Sequence, residues 1–406
     1  TATTEIYTLS LHDALPICLN EYGLTKGERT VAARTEEDVY KALGLAWIPP
    51  ELRESRGEIE LARAGTLPRL LELKDLRADL HMHTTRSDGR DSIDDMVLAA
   101  KARGHQYMAI TEHSKALAMA NGFDAARVRK SVTEIAEARK RHPDMPILHG
   151  LEVDILADGS LDLDEDVLRT LDWVIGSVHS AFEMSGADMT SRLISAMETG
   201  LVDCIGHPTG RRLDQRGGSE LDWDRLFQVA RRLNVVVEVN GNPYRMDLPD
   251  VACRRAHEMG VQLAVNTDAH APGHLKYQEF GVVTARRGWV EPNNVINTRA
   301  WSVIAARTAG VPRRSASSIG SRTGSTQRLH ATVTWPLNVP AAKAWVSSAY
   351  SSRSASPWPA SASSSGRPRA SRIGSPRTHS ATRAGGRQPS RSHAATRSSP
   401  RSTLSS

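Results

Sequence analysis

Between Asp79 and Val283, short apolar runs alternate with amphipathic stretches, a pattern that few folds accommodate. Strands alternating with helices argue for βα units and a parallel sheet. The spacing predicts seven strands, at residues 78–83, 107–111, 147–153, 173–179, 202–206, 235–240 and 262–267. Helical faces fill the gaps. Asp91 and Ser92 offer N-cap oxygens, Ile93, Met96, Val97 and Ala100 share one face, and Gly104 sits at the expected end. Val128, Val132 and Ile135 repeat the spacing, as do Met189, Leu193 and Met197 before Gly200, and Val251, Ala252, Ala256 and Met259 before Gly260. Such stripes predict core-facing helices. Seven units of this kind predict an α/β fold, a closed or nearly closed (β/α) barrel one unit short of the eight-fold form.

The two ends do not share the pattern. Residues 311–406 hold 14 Arg, one Lys, 25 Ser and no Asp or Glu, so they carry +15 of a chain whose net charge is only +6. By subtraction, residues 1–310 hold 52 − 15 = 37 basic and 46 acidic side chains, a net charge of −9. The basic average therefore does not describe a body that coats nucleic acid, and an acidic body needs a local reason to bind phosphate. Residues 306–406 read as a Ser/Arg-rich disordered tail, since they lack the apolar surface to offset chain entropy; out-of-frame translation of a GC-rich gene is the favoured origin and a natural basic arm that binds nucleic acid the alternative. The opening TATTEIYTLSLHDALPI, residues 1–17, resembles a translated sequencing adapter and is set aside, with His12 and Asp13 carrying no function. Cys18, Cys204 and Cys253 are too few and too scattered for a disulfide framework, and no apolar run approaches a membrane span. A cytoplasmic protein with no membrane partner is expected.

Six His and three acids fall at or just after the predicted strand ends: His81 and His83 in DLHMHT, Asp88 in SDG, His113 in TEHS, Glu152 in GLEVD, His179 in SVHS, His207 in GHPTG, and Asp268 and His270 in TDAH. A barrel gathers those ends on one face, where its active sites lie. In H-x-H the strand period of two places both imidazoles on one side, and D-x-H repeats that geometry if Asp268 to His270 is extended. Mixed imidazole and carboxylate sets without thiolate suit Zn²⁺, Mn²⁺ or Fe²⁺ in hydrolytic sites. Nine ligands exceed the needs of one ion, so two to three divalent ions are expected, with the two-metal logic of phosphoester hydrolysis. Taken singly, each residue is ordinary: Asp88 fits a turn and Asp268 a helix cap. The joint placement makes the argument. His105, His142, His149, His257 and His274 fit it less well and read as structural or surface, with His274 a loop contact.

DLHMHT, SDG, TEHS, GLEVDI, GSVHS, GHPTGR, EVNGNPYRMDL and TDAH, in this order, resemble the PHP (polymerase and histidinol phosphatase) domains, specifically the C-terminal region of bacterial family X DNA polymerases. The resemblance covers residues 19–301. It implies a distorted (β/α)7 barrel and assigns the nine residues above as ligands of a trinuclear centre, with Mn²⁺ favoured. CLNEYGL and the stretch from Thr35 to Leu71 are similar to the end of a polymerase thumb and its linker, so residues 18–76 are expected to be that remnant and residues 77–305 the PHP domain. No segment resembles the palm or fingers, and the DLDED cluster at residues 162–166 reads as a polar helix start. The departures are Glu112 where Asp is usual, Ala78 where Gly is common and Thr267 where Ser often sits. Glu112 flanks a ligand and bears on its orientation.

The resemblance implies a metal-dependent 3′–5′ exonuclease acting on DNA 3′ ends or gapped DNA. Lys115, Arg211 and Arg245 flank ligand motifs and are candidates to hold phosphates, and Asn240 to orient substrate, with Asn242 equally explained by the GNP turn. Two rival readings are a histidinol-phosphatase-like phosphomonoesterase with a narrower pocket, and a non-catalytic metal-binding support domain. Oligomeric state is left open.

Overall fold

The parallel strands are buried on both faces, which is why they read as nearly continuous apolar runs. A computed structural model describes residues 17–310; residues 1–16 of the adapter-like leader and 311–406 of the Ser/Arg-rich tail lie outside that range, whereas Ile17 opens a strand and residues 306–310, expected to belong to the disordered tail, instead continue the helix Trp301–Gly310. Strands β1 (Ile17–Asn20), β2 (Gly23–Lys26) and β3 (Arg29–Ala32) form an antiparallel sheet, followed by helices α1 (Glu36–Ala42) and α2 (Glu58–Ala64). Then β4 (Ala78–Asp79), β5 (Tyr107–His113), β6 (Ile147–Asp154), β7 (Trp173–Ser177), β8 (Cys204–Ile205), β9 (Val236–Asn240) and β10 (Leu263–Asn266) pair in sequential order, every pair parallel. The α/β fold is thus a seven-stranded, nearly closed barrel.

Closure between β4 and β10 is largely made by side chains. Asn297 Nδ2 donates to the carbonyls of Ala78 and Val265 at 2.9 and 2.8 Å, and Gln278 Nε2 to the same two at 2.9 and 3.0 Å. Above them one parallel bridge joins Met82 to Ala269, with His83 N donating to Ala269 O at 2.8 Å. The first strand is therefore shorter than the expected 78–83. Asp79 accepts from His81 N at 3.1 Å and Leu80 N donates to the Asn266 side chain at 3.1 Å, which interrupts the ladder.

Helices α3 (Ile93–Ala102), α4 (Ala125–Arg141), α5 (Glu165–Leu168), α6 (Gly186–Glu198), α7 (Trp223–Leu233), α8 (Asp250–Met259) and α9 (Gln278–Arg287) follow the strands. Ser92 caps α3 in a reciprocal capping box with Asp95. Gly104, Gly200 and Gly260 lie at the expected helix ends with positive φ. Two predicted faces are corrected. Val132 is exposed because the buried stripe of α4 runs through Val128, Ser131, Ile135 and Ala138, and Val251 is exposed beside the Ala252, Cys253 and Ala256 face of α8. Ser131 belongs to the stripe because its hydroxyl meets His149 Nε2 at 2.8 Å.

Inside the barrel, Tyr107, Ala109, Leu148, Trp173, Ile175, Val236 and Ala264 make an apolar plug with Ile296 and Ile304, and Trp301 packs against it. Ile304 and Trp301 begin α10 (Trp301–Gly310), which closes the N-terminal end of the barrel. With the interior filled below, the same inward strand positions become polar above: Glu152 lies four residues beyond Leu148, and Glu238 two beyond Val236. Ile48, Leu52, Ala62 and Leu70 pack on Trp289, and Arg286 to Glu51 at 2.6 Å and Arg287 to Glu54 at 2.8 Å fix this upstream segment to α9. No helix among the described residues is long and apolar enough to cross a membrane.

Candidate metal centre

All nine expected ligands meet at the C-terminal end of the barrel. Their donor atoms fall into three overlapping groups, each within 4.8 Å: His83, Asp88, His113 and His270; His81, His83, Glu152 and Asp268; and His113, Glu152 and His179. His207 joins them, its Nε2 lying 2.9 Å from Glu152 Oε1. Glu152, His83 and His113 each serve two groups. The D-x-H segment is not extended as the spacing argument required: Asp268 has φ +53, and a turn in which His270 Nδ1 meets Asp268 O at 2.8 Å brings the pair inward instead. His207 also has positive φ, +25.

Burial and charge make the arrangement expensive unless cations are present. His81, His83 and Glu152 have no solvent exposure, and Asp268 and His207 almost none. Burial disfavours a charged imidazole at His81, yet Glu238, Glu152 and Asp268 outweigh it and raise its pKa well above the ordinary value. Burial would likewise raise the Glu152 and Asp268 carboxyls, but the surrounding imidazoles hold both well below the carboxylate range. Such carboxylates demand nearby positive charge. The fit to metal ions rests on orphaned atoms: His81 Nε2, both nitrogens of His83 and of His207, His113 Nδ1, His179 Nε2, both oxygens of Glu152 and Asp268 Oδ1 are buried and lack a hydrogen-bond partner. They approach one another closely without hydrogen-bond geometry, a donor set of borderline nitrogen and hard oxygen suited to divalent first-row metals.

A second layer orients the imidazoles. Glu238 Oε1 meets His81 Nδ1 at 2.7 Å, and Glu238 also accepts from His207 N at 2.7 Å, Asn240 Nδ2 at 3.1 Å and Asn266 Nδ2 at 3.0 Å. Asp154 Oδ1 meets His179 Nδ1 at 3.1 Å. Both carboxylates leave the opposite ring nitrogen turned to the centre, the pattern that fixes a tautomer and raises ligand basicity. Neither was singled out from sequence, although period two signalled both: Asp154 follows Glu152 by two residues and Glu238 precedes Asn240 by two. Glu238→Gln is expected to weaken divalent-metal affinity about 10- to 100-fold, read by titrating Mn²⁺ and following the free ion by electron paramagnetic resonance; unaltered affinity would remove Glu238 from the site.

Glu112 points away from the ligands. Its carboxylate accepts from Thr84 N at 3.2 Å and from the Thr84 and Ser87 hydroxyls, and so holds the loop that carries Asp88. Among the expected substrate contacts, Arg245 Nε lies 3.2 Å from Asp268 Oδ2, and buried Asn240 places Nδ2 3.5 Å from the same oxygen. Arg211 instead donates from Nε to Arg245 O at 2.7 Å and from Nη2 to Met246 O, tying down the loop after β9. Lys115 is exposed on the loop after β5. His105, His149, His142 and His257 bond Gln278, Ser131, Asp94 and Asn294 away from the centre, and His274 Nδ1 accepts from His270 N at 3.3 Å. In the DLDED cluster, Asp164 stands at the N-cap position of α5 without a side-chain capping bond, while buried Asp162 accepts from Ala116 N at 2.7 Å.

Residues 79–241, which carry most of this parallel barrel and of the His, Asp and Glu cluster at its strand ends, match the PHP domain profile. Ahead of it, the DNA polymerase beta thumb profile matches residues 13–54. The chain is 43% identical over 291 residues to the DNA polymerase/3′-5′ exonuclease PolX of Bacillus subtilis, covering 71% of this chain and 50% of that protein. It therefore spans about half the length of that relative. It is 28% identical over 205 residues to a "probable phosphatase" of Photobacterium profundum, covering 47% of this chain and 77% of the relative. A solved histidinol phosphate phosphatase of Lactococcus lactis, complexed with zinc, L-histidinol and phosphate, is similar with a TM-score of 0.38 and 15% identity, over 52% of this chain and 93% of that one.

Proposed function

We propose that the chain is a metal-dependent phosphoesterase that removes nucleotides from DNA 3′ ends, the 3′–5′ exonuclease module of a bacterial family X polymerase working on gapped DNA in the cytosol. The observation that carries this reading is a donor set with shared ligands in one chain with a polymerase thumb. Shared ligands imply neighbouring ions, and the thumb supports DNA over a small ester as the partner. The ligands we assign are His81, His83, Asp88, His113, Glu152, His179, His207, Asp268 and His270, holding two to three divalent ions, with Mn²⁺ preferred over Zn²⁺ or Fe²⁺.

Bound divalent ions would supply Lewis-acid clamping of the phosphate oxygens and a water of lowered pKa. The chain's own residues do the rest. Asp268, Asp88 and Glu152 provide the anionic charge that retains the ions, and Glu238 and Asp154 hold His81 and His179 in register. Arg245, fixed to Asp268 through Nε, has both Nη groups without a hydrogen-bond partner among the described residues and offers them to the scissile phosphate. Arg211 acts through Arg245 by bonding its loop, Asn240 steadies Asp268, and Lys115 meets the DNA backbone from the opposite loop.

The identity to a probable phosphatase favours the phosphomonoesterase reading as the alternative. With the Mn²⁺-loaded chain, nucleotide release from a 3′-recessed duplex is expected to exceed phosphate release from histidinol phosphate by at least about 10²-fold in kcat/KM, on the order of the 2.7 kcal/mol that such a ratio represents. Activity on histidinol phosphate alone would sink the nuclease reading. Activity on neither would favour a support domain.

A further inference from the structure

Two large apolar side chains of the barrel stand out by exposure, Met119 at 92% and Tyr244 at 61%, and both lie on loops at the ligand-bearing face. Tyr244 belongs to the loop joining β9 to α8, which is ordered without help from its ring. Asn242 N donates to Asn240 Oδ1 at 2.9 Å and Tyr244 N to Asn242 Oδ1 at 3.1 Å. Tyr244 O accepts from Leu213 N at 2.8 Å, and Arg245 N and Met246 N both donate to Asn242 O at 2.8 Å. Arg211 bonds the next two carbonyls, and Met246 takes the left-handed φ of +46 that reverses the chain. A loop aromatic normally earns its place by burial. Here hydrogen bonds hold the backbone on both sides, and the ring is displayed to solvent.

Its position gives the display a use. Tyr244 directly precedes Arg245, whose guanidinium rests on Asp268, so the two Cα atoms are about 3.8 Å apart. A phosphodiester held at the cluster brings its nucleoside towards this lip. We infer that Tyr244 is a stacking platform for the nucleobase at the 3′ end of the bound strand, and thereby a substrate-positioning residue. The inference rests on the nuclease reading above and adds the class of group the lip recognises. Every base has a π-face, so stacking suits an enzyme that takes whichever nucleotide is terminal.

The test uses the full chain with Mn²⁺ and two 3′-recessed duplexes, one ending in a normal nucleotide and one in an abasic nucleotide. The wild type is expected to show a KM about tenfold higher for the abasic end. Tyr244→Ala is expected to raise KM for the normal end by the same factor and to lose the discrimination between ends, and Tyr244→Trp to keep it. Discrimination retained by Tyr244→Ala, or absent from the wild type, overturns the platform and leaves the nuclease reading standing. Release of nucleotides from neither duplex by the wild type overturns both. The wild-type comparison of ends requires no variant to fold, and Tyr244, with most of its surface in water, is a mild place to substitute.

Discussion

Glu152→Gln is expected to lower nucleotide release by at least about 10³-fold and to reduce the bound metal by one ion or more per chain. Each carboxylate oxygen faces its own set of imidazoles. Oε2 lies 3.0 Å from His113 Nδ1, 3.2 Å from His81 Nε2 and 3.4 Å from His83 Nε2. Oε1 lies 2.9 Å from His207 Nε2 and 3.4 Å from His179 Nε2. A carboxylate so placed would hold a cation on each oxygen, and a glutamine of nearly the same shape offers one acceptor and turns an N–H donor towards the other side. Shape is conserved, so the effect is electrostatic. The removed negative charge is the one the surrounding imidazoles hold in its ionised form against burial. Metal analysis by mass spectrometry together with initial rates checks this. A variant with wild-type metal content and a rate within tenfold would show that Glu152 does not bridge.

The barrel was legible because parallel strands impose long apolar runs, and the clustering of the nine His, Asp and Glu because a barrel gathers strand ends on one face. What escaped the sequence reading depends on contacts between remote residues. Glu238 and Asp154 look like ordinary strand acids until the barrel sets them behind His81 and His179. Asn297 and Gln278, which stitch Ala78 to Val265, have no local signature, because closing a barrel with side-chain amides leaves no periodicity. The turn at Asp268 defeats a strand-period argument yet brings Asp268 and His270 to the same cluster, since the left-handed φ folds the pair over. Arg211 was assigned by proximity in sequence, which cannot distinguish a guanidinium that binds phosphate from one that bonds loop carbonyls. Glu112 is the instructive departure. On a strand its parity opposes that of His113, and so it supports the Asp88 loop from behind.

His149→Gln is expected to narrow its stability gap to the wild type by about 3 kcal/mol between pH 7.5 and pH 4. His149 lies on β6 facing away from Glu152, buried, with Nε2 at 2.8 Å from Ser131 Oγ. Burial pushes its pKa from 6.5 down to about 4. A depressed histidine is neutral in the fold while the unfolded chain takes up a proton, so its contribution is complete above about pH 6.5 and declines as pH falls towards 4. The wild-type profile alone would hide this. Burial also raises Asp79 to about 7 and Asp247 to about 6, and each such acid binds its proton more tightly in the fold, so its contribution is present at low pH and lost as pH rises through those values. His105, pushed down to about 4, acts with His149. The opposing pairs occupy the same pH range and offset one another, whereas the difference between wild type and variant isolates one ring. Urea unfolding of both proteins at the two pH values measures it, and a difference that does not change with pH would mean that His149 titrates in the fold as it does in the open chain.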